Sequence, residues 1–358
     1  MKIGKSLVPE EYKHLFHLDS VQFIKELSKK QAILLFSSEE LPNPYLSERL
    51  GIYDDFILFA KDSDLNIFLP FPIENKDSDI RYASFSELES SLRNCGRVVG
   101  LDFSSTKLST FFYLEKILPD DFIFINIEPV LNAFFSLKTE QEIESISSAS
   151  KLTAEVFNDI VKAIKSRALS NEKEVFQFIK KNAIKNEAGL AFKSIVANGK
   201  HSSYIHYQDY SEESFEKGFL LLDFGFSKNN LCSDMTRMIY LGNPSKEELD
   251  LFNKVRQIKE KCVEHSLNVA SAEEIQEFAQ SLFLKHGFQL QHAIGHGIGY
   301  RVHEPLFFYK AKSKKNPIAI EPGIYIKDKF GIRIEDTLIV DDKANVLTSC
   351  SDNLVVID

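Results

Sequence analysis

The strongest constraint on how this chain can fold is a set of ionisable side chains embedded in apolar, strand-like segments of its second half. The set comprises Asp223, Asp234, His296, Glu321 and Glu335. A buried carboxylate costs several kcal/mol unless a cation compensates its charge. Only Arg237 and Arg333 lie nearby in the sequence, and two positive charges do not balance four negative ones. The sequence therefore predicts that bound metal ions supply the missing positive charge.

Each of these residues has a simpler interpretation when it is considered alone. An isolated acid at the end of a strand, such as Asp223, more often caps a loop, and an isolated His296 is more often a hydrogen-bonded core histidine. The whole set is not explained in this way, because four carboxylates cannot be buried together without neutralisation.

The number and type of ligands indicate which metals to expect. Four carboxylates and one imidazole exceed the ligand set of one tetrahedral zinc ion. They suit two oxygen-preferring divalent ions per chain, and we expect Mn²⁺, with Co²⁺, Fe²⁺ or Zn²⁺ as alternatives. Carboxylates can bridge two cations about 3.5–4 Å apart, and a water molecule between such cations ionises to hydroxide near neutral pH. The pattern thus predicts a hydrolase.

Composition and charge argue against several other classes of protein. The formal net charge of -9 disfavours nucleic acid or an anionic membrane as a main partner. The N-terminus lacks the apolar segment of a secretory signal, and no run reaches the roughly 18 apolar residues that span a bilayer. The four cysteines are scattered and form no C-x-x-C pair, which is typical of free thiols in a reducing compartment. We therefore expect a cytoplasmic protein.

The first third of the chain alternates strand-like and helical segments. Predicted strands are Gln31–Phe36, Phe56–Ala60, Leu65–Pro70, Val98–Phe103 and Phe122–Ile127. Predicted helices are Ser20–Lys29, Phe85–Asn94 and Lys107–Leu118. Such alternation is typical of an α/β layer with helices packed on a sheet. Glu128-Pro129 is expected to end the last strand, so we place a domain boundary near residue 130, between domains 1–130 and 131–358.

The second domain is predicted to combine capped helices with apolar strands. Thr139 and Ser245 are each followed three residues later by Glu, a capping box that opens a helix. Ser271 opens another helix, which ends before Gly287. A further helix spans Asn171 to Lys185. Predicted strands are Phe192–Val196, Phe219–Phe226, Met235–Tyr240, His292–Val302, Ile318–Ile326 and Gly331–Val340.

The order of the ionisable residues resembles a known family. The succession Asp, Asp, His, Glu, Glu and the H-G-x-G-x-x-x-H-E string from His296 to Glu304 are similar to the metal-binding motif of the pita-bread metallopeptidases. This family contains methionine aminopeptidase, Xaa-Pro aminopeptidase and prolidase, and the likeness covers residues 135–358. The resemblance implies an α+β fold: a pita-bread catalytic domain, similar to creatinase and methionine aminopeptidase, preceded by a smaller α/β creatinase-like N-terminal domain.

The resemblance also implies how the ligands are shared between two metals. Asp223 is expected to bind one metal only, and Asp234 and Glu335 to bridge both. His296 and Glu321 would complete the second metal site, and Glu321 would also accept the proton of the bridging water.

Four more residues are given roles by the resemblance. His206 matches the histidine that lines the site ahead of the first aspartate. His292 and His303 match those that steady the substrate carbonyl and its tetrahedral oxyanion, which is a hydrogen-bond donor's role. Arg333 is expected to orient a ligand carboxylate. A surface-loop histidine is the alternative interpretation for both His206 and His303.

The segment in front of the catalytic domain narrows the choice within the family. Methionine aminopeptidases usually lack such an α/β domain, whereas it resembles the N-terminal domain of creatinase, prolidase and Xaa-Pro aminopeptidase. Creatinase lacks the metal ligands, so the resemblance implies hydrolysis of an Xaa–Pro bond in a peptide with proline at the second position. Relatives are often dimers, and we expect a homodimer.

Aminopeptidase and dipeptidase activity are both compatible with the motifs. Some prolidases place an arginine after the H-E motif to pair with the free carboxylate of a dipeptide, whereas this chain has Leu306-Phe307-Phe308 there. The difference favours an Xaa-Pro aminopeptidase, with prolidase as the alternative, although Arg301 is a possible substitute cation. A non-catalytic pita-bread binding module and a hydrolase of non-peptide amides stay open as other classes.

Overall fold

The computed structural model describes residues 2–38, 43–53, 55–69, 81–119, 121–308 and 314–358. The chain divides into two compact units, Met1–Phe135 and Ser136–Asp358. The sequence-based boundary at residue 130 falls inside a helix, Glu128–Ser136. The last strand of this unit ends at Asn126, just before Glu128-Pro129 as expected, and these two residues then open the helix. Proline is favourable in a first helical turn, where its missing N–H would have had no partner.

The first unit is built around one mixed sheet. Its strands are β1 (Lys2–Ile3), β2 (Ala32–Ser37), β3 (Phe56–Lys61), β4 (Asp64–Leu69), β5 (Arg81–Ser84), β6 (Val98–Leu101) and β7 (Ile123–Asn126). Its helices are a 3₁₀ helix (Pro9–Leu15), α1 (Ser20–Leu27), α2 (Pro44–Leu50), α3 (Phe85–Arg93), α4 (Leu108–Ile117) and α5 (Glu128–Ser136). Within the described residues, the strands form a single sheet in the order β1-β7-β6-β2-β3-β4-β5. This arrangement confirms the predicted α/β layer.

Helix α2 was not predicted, although its sequence contains a helix start signal. The Asn43 side chain accepts a hydrogen bond from the Leu46 N–H, and Pro44 occupies the first turn. The helix is only seven residues long and therefore carries little periodicity. The predicted strand Leu65–Pro70 corresponds to β4, and Pro70 lies outside the described residues.

The second unit contains more strands, arranged in several small sheets. Its helices are α6 (Glu140–Lys165), α7 (Glu172–Lys185), a 3₁₀ helix (Gly199–Ser203), α8 (Lys246–His265) and α9 (Ala272–Lys285). Its strands are β8 (Gly189–Leu190), β9 (Ile195–Asn198), β10 (Gly218–Asp223), β11 (Phe226–Lys228), β12 (Leu231–Cys232), β13 (Thr236–Leu241), β14 (Gly295–Gly297), β15 (Pro317–Ile320), β16 (Gly323–Ile326), β17 (Phe330–Arg333), β18 (Asp336–Val340), β19 (Ala344–Val346) and β20 (Val355–Ile357). Two four-stranded sheets, β20-β13-β10-β9 and β14-β15-β18-β19, dominate the described part of this unit.

Strand β10 lies between two hydrophobic cores. Phe219 and Leu221 pack into the core that contains α8 and α9, whereas Leu220 and Leu222 pack into the core that contains α6 and α7. A strand that is buried on both faces has an uninterrupted apolar sequence. The strand ends at Asp223, which is therefore also buried.

Three predicted strands are interrupted in the structure. They are Phe219–Phe226, Ile318–Ile326 and Gly331–Val340, which correspond to β10 and β11, β15 and β16, and β17 and β18. At two of the breaks the backbone bonds to a different segment: Glu321 N–H donates to the Ile294 carbonyl (2.8 Å) and Glu335 N–H to the Thr236 carbonyl (3.2 Å). The predicted strand His292–Val302 is wrong over most of its length, because only β14 is extended and paired.

The helix caps in this unit agree closely with the sequence. Thr139 and Ser245 form complete capping boxes with the glutamate three residues later. Ser271 accepts a hydrogen bond at the start of α9, and Gly287, with φ of 80°, follows its end. Among the described residues, no helix is both long enough and apolar enough to cross a membrane.

Candidate metal centre

The five predicted ligands lie at or next to the ends of paired strands in the second unit. Asp223 ends β10, Asp234 lies just before β13, and β10 and β13 are antiparallel neighbours. His296 is the middle residue of β14, Glu321 follows β15, and Glu335 lies between β17 and β18. Because β15 pairs with both β14 and β18, the strands bring these side chains to one place.

Interatomic distances confirm that these side chains converge. His296 Nε2 lies 3.6 Å from Asp234 Oδ2 and 3.7 Å from both Glu321 Oε1 and Glu335 Oε1. Ligating atoms of Asp223, Asp234 and Glu335 also lie within 4.8 Å of one another. Two ligands about 2.1 Å from a shared metal are roughly 3–3.5 Å apart, so these spacings suit shared cations. Glu335 belongs to both groups.

The tautomer of His296 fits a ligand. Its Nδ1 lies 2.9 Å from the Gly297 carbonyl oxygen, which can only accept, so Nδ1 carries the proton. Nε2 faces the carboxylates and offers its lone pair there once the ring is neutral. Metal-binding histidines in proteins are commonly oriented by such a hydrogen bond from the other ring nitrogen.

Three carboxylate oxygens at the centre have no conventional partner. Asp223 Oδ1, Asp234 Oδ1 and Glu335 Oε1 are buried and find no hydrogen-bond partner among the described residues. Buried polar atoms of this kind are rare in proteins and costly when charged. Hard oxygen donors without protons are the ligands that divalent cations prefer. The residues present therefore fit divalent metal ions.

Protonation equilibria at the centre reflect crowded negative charge. Burial, with the neighbouring Glu335 and Asp223 carboxylates, raises the pKa of Asp234 well above its usual range. Burial and the Glu335 charge raise the pKa of Glu321 to about 8. Burial lowers the pKa of His296, but the carboxylates of Glu335 and Glu321 outweigh it and raise that pKa to about 9. Protons thus partly neutralise the crowded carboxylates.

One arginine contacts the ligand set directly. Arg333 is buried and forms an ion pair with Asp223. It also donates to the Tyr325 hydroxyl (2.7 Å) and to Thr236 Oγ1 (3.2 Å). Thr236 Oγ1 in turn donates to Glu335 Oε2 (2.8 Å). Arg333 therefore fixes one carboxylate directly and the position of a second through Thr236.

The other arginine near the ligands in the sequence serves a separate network. Arg237 pairs with Asp336, and Lys259 bridges Asp336 to Asp352. Among the described residues, Arg333 is thus the only arginine or lysine that pairs with a ligand carboxylate. The charge deficit at the centre is larger than the sequence alone indicated.

The predicted substrate-binding histidines lie around this centre. His206 and His303 are exposed, and the His303 ring packs edge-on at 4.5 Å from the His296 ring. Burial lowers the pKa of His303, and the charges of His296 and His206 lower it further. Beside His303, Glu304 forms a buried ion pair with Lys138 (2.9 Å).

His292 has a more constrained environment than the other two histidines. Its Nδ1 donates to the Ala293 carbonyl (2.8 Å), and its Nε2 lies 3.0 Å from the Tyr325 hydroxyl. Nε2 therefore accepts from the tyrosine in the neutral ring, and burial lowers the pKa of His292. In this arrangement the single ring N–H, at Nδ1, is already bonded to the Ala293 carbonyl.

Sequence reasoning missed several residues that shape the centre. Tyr325 joins His292 to Arg333, Thr236 joins Arg333 to Glu335, and the Thr337 side chain bonds the backbone N–H and carbonyl of Asp234. All are uncharged and lie on apolar strands, so only their polarity at buried positions could have singled them out.

Comparisons with known proteins agree with this geometry. The model of metallopeptidase family M24 matches residues 144–342, more than half of the chain. The chain is 28% identical over 292 residues to the Xaa-Pro dipeptidase of Pyrococcus furiosus, covering 79% of this chain and 82% of the relative.

Solved structures share the fold over nearly the whole length. The X-Pro aminopeptidase of Thermotoga maritima superposes with a TM-score of 0.74 at 25% identity, covering 93% of this chain and 99% of that one. The prolidase of Pyrococcus horikoshii has a TM-score of 0.75 at 23% identity, covering 96% and 100%. These likenesses confirm the expected α+β fold, a pita-bread domain preceded by a smaller α/β N-terminal domain. The chain belongs to metallopeptidase family M24.

Proposed function

We propose that this protein is a dinuclear aminopeptidase that removes the first residue from peptides with proline at the second position. The observation that carries the proposal is the convergence of His296 and four carboxylates, with three buried carboxylate oxygens lacking partners among the described residues. Two relatives, named as an Xaa-Pro dipeptidase and an X-Pro aminopeptidase, support an Xaa–Pro bond as the target.

In this proposal the two metals share the five ligands. Asp223 would hold one ion, His296 and Glu321 would hold the other, and Asp234 and Glu335 would be shared between them. Mn²⁺ suits this oxygen-rich set, with Co²⁺, Fe²⁺ or Zn²⁺ as alternatives. When bound, the ions would supply an activated water as the nucleophile and positive charge for the scissile carbonyl oxygen.

Proton transfer is assigned to Glu321. Its side chain is 18% exposed, whereas that of Glu335 is 2% exposed, so Glu321 is the more accessible to water and substrate. Glu321 would accept the proton of the attacking water and pass it to the leaving imino nitrogen of proline.

Substrate positioning is assigned to the histidines and Arg333. His206 and His303, which are exposed beside the centre, donate hydrogen bonds to the scissile carbonyl as negative charge develops on its oxygen. His292 would contribute a donor only after its bond with the Tyr325 hydroxyl is exchanged. Arg333 holds Asp223 in place.

The segment after the H-E motif favours an aminopeptidase over a dipeptidase. Leu306 and Phe308 are half-buried against the core rather than presenting a cation. Arg301, on the same loop, is exposed and could serve a dipeptide carboxylate, and the Xaa-Pro dipeptidase relative favours this alternative.

The decisive experiment compares peptides of different length in the presence of Mn²⁺. We expect cleavage of both Ala-Pro-Ala and longer Xaa-Pro peptides, with Ala-Ala-Ala as the control for proline selectivity. Cleavage of Ala-Pro alone would identify a prolidase. Loss of activity with a chelator and its return with Mn²⁺ are expected, and cleavage of no peptide would instead favour a binding module.

Compartment and assembly are also proposed. The described cysteines are all free thiols, and three of the four are buried, which suits the reducing cytoplasm. A homodimer stays a prediction from the family resemblance, and light scattering coupled to size-exclusion chromatography would measure it against the chain mass of 40.9 kDa.

A further inference from the structure

The loop that carries His206 is bound at both ends by a single buried carboxylate. This loop, residues 199–210, connects strand β9 to Ser211 and exposes His206, which is close enough to His303 and His292 to lower the pKa of both. The carboxylate belongs to Glu172, the first residue of helix α7, which is 1% exposed.

Each carboxylate oxygen of Glu172 accepts hydrogen bonds from a different end of the loop. Oε1 accepts hydrogen bonds from the Asn198 N–H (2.7 Å) and from His201 Nδ1 (2.8 Å), both at the start of the loop. Oε2 accepts from the Ser211 N–H (2.8 Å) at its end. Hydrogen bonds to an ionised acceptor are roughly twice as strong as neutral ones.

Contacts within the loop extend this anchoring toward His206. The His201 ring stacks on the ring of Tyr207, the next residue after His206, with centroids 4.3 Å apart and planes inclined by 16°. On the other side of His206, the Ile205 carbonyl accepts a hydrogen bond from Arg333 (3.3 Å). His206 is therefore flanked by one residue tied to Glu172 through His201 and one tied to Arg333.

This anchoring is not needed to end or cap helix α7. Asn171 caps the helix by accepting from the Glu174 N–H (2.9 Å), and Glu174 accepts from Ser170 N–H (2.7 Å). Glu172 instead directs its side chain to a segment that follows it by 26 to 39 residues in the sequence. A buried charge is retained at such a position at a cost, unless the contacts it makes are useful.

We propose that Glu172 is a positioning residue that holds the 199–210 loop so that His206 reaches the substrate carbonyl. The inference rests on the proposed function, because it assigns His206 a hydrogen bond to substrate. A donor displaced by about 1 Å costs on the order of 100-fold in rate, so a loosened loop lowers kcat without removing the metals.

The test compares Glu172→Gln with Glu174→Gln. Both remove one negative charge from the first turn of α7, but only Glu172 bonds the loop. We expect Glu172→Gln to lower kcat on an Xaa-Pro peptide about 10-fold or more, with metal content unchanged. Glu174→Gln should stay within about twofold of the wild-type protein. Equal kcat values for the two variants would overturn the inference.

A double-mutant cycle separates positioning from a general structural effect. In a His206→Ala background the donor is already lost, so Glu172→Gln should lower kcat little further. An undiminished effect in this background would contradict positioning through His206. Should Glu172→Gln fail to fold, His201→Phe keeps the stack on Tyr207 and removes only one bond to Glu172, and it should show a smaller loss with the same dependence on His206.

Hydrogen exchange gives a readout that does not depend on activity. Amides of residues 199–210 should exchange faster in Glu172→Gln than in Glu174→Gln, and equal protection would refute the anchoring. A wild-type protein that cleaves no Xaa-Pro peptide would refute the proposed function instead, and the exchange comparison would still decide whether Glu172 holds the loop.

Discussion

At the scale of single residues, we expect metal binding at the centre to displace protons from its ligands. His296, with a pKa of about 9, and Glu321, with a pKa of about 8, are both largely protonated at pH 7 in the metal-free protein. Metal ligands must be deprotonated, so Mn²⁺ binding at pH 7 should release protons from both residues. Because protons compete with the metal below these pKa values, affinity should fall as the pH is lowered from 9. Titration calorimetry in buffers of different ionisation enthalpy measures the release, and identical heats in all buffers would contradict it.

Replacement of a bridging ligand should have a larger effect than replacement of a terminal one. We expect Asp234→Ala or Glu335→Ala to abolish metal binding at both positions, and hydrolysis with it, because each carboxylate would serve both ions in the proposed arrangement. Glu247→Ala, at an exposed position in the first turn of α8, is the control and should bind metal normally. Turnover that persists in either ligand variant, with metal content measured, would refute the shared-ligand arrangement.

Replacement of a histidine that acts on the substrate should lower the rate of catalysis without affecting metal binding. His303→Ala should keep the bound metal, because the five proposed ligands are untouched, but lose about 100-fold in kcat if the imidazole is an oxyanion donor. Metal analysis alongside steady-state kinetics makes the distinction. Turnover equal to that of the wild-type protein would show that His303 has only a structural role.

At the scale of secondary structure, a close backbone approach brings two ligands together. Gly225 follows β10 by two residues, and a Cβ at this position would overlap the carbonyl of Ser233, next to Asp234. Gly225→Ala should therefore displace Asp223 from Asp234, lower the stability by about 1–3 kcal/mol and weaken metal binding. The control is Gly189→Ala, where a Cβ would meet only the mobile hydroxyl of Ser227. Thermal melts and metal titrations of the two variants measure the effect, and equal behaviour would contradict it.

Local signals in the sequence predict the helices better than the strands. Thr139 and Ser245 mark helix starts because a cap acts on neighbouring residues, whose identities are visible in the sequence. The interruptions at Glu321 and Glu335 depend on which distant backbone accepts each N–H, and an apolar run carries no information about this.

The same limit applies to the centre. Its charged ligands could be predicted because four acids in apolar segments violate the usual pattern, and the family resemblance then ordered them. The contacts of Tyr325 with His292 and of Glu172 with Ser211 could not be predicted, because they join residues 33 and 39 positions apart in the sequence.

At the scale of the whole molecule, metal binding should contribute to stability. The second unit buries ligand carboxylates whose mutual repulsion is relieved by cations, and a ligand that binds only the folded state stabilises it by about 2.7 kcal/mol at 100 times its Kd. Scanning calorimetry should therefore show a higher Tm with Mn²⁺ than with a chelator. Equal Tm values, together with bound metal, would contradict this expectation.

Two consecutive acids, Glu335 and Asp336, have different environments where β18 begins. Glu335 faces His296, whereas Asp336 is bound by Arg237, Lys259 and Thr348. The positive charges of Arg237 and Lys259 offset the negative charges of Asp336 and Asp352. The charges of this network around Asp336 balance one another without a bound ion. Replacement of Glu335 during evolution would therefore abolish the activity and leave the Asp336 network intact. A one-residue shift in register here would instead exchange the two acids and disrupt both the metal centre and the Asp336 network.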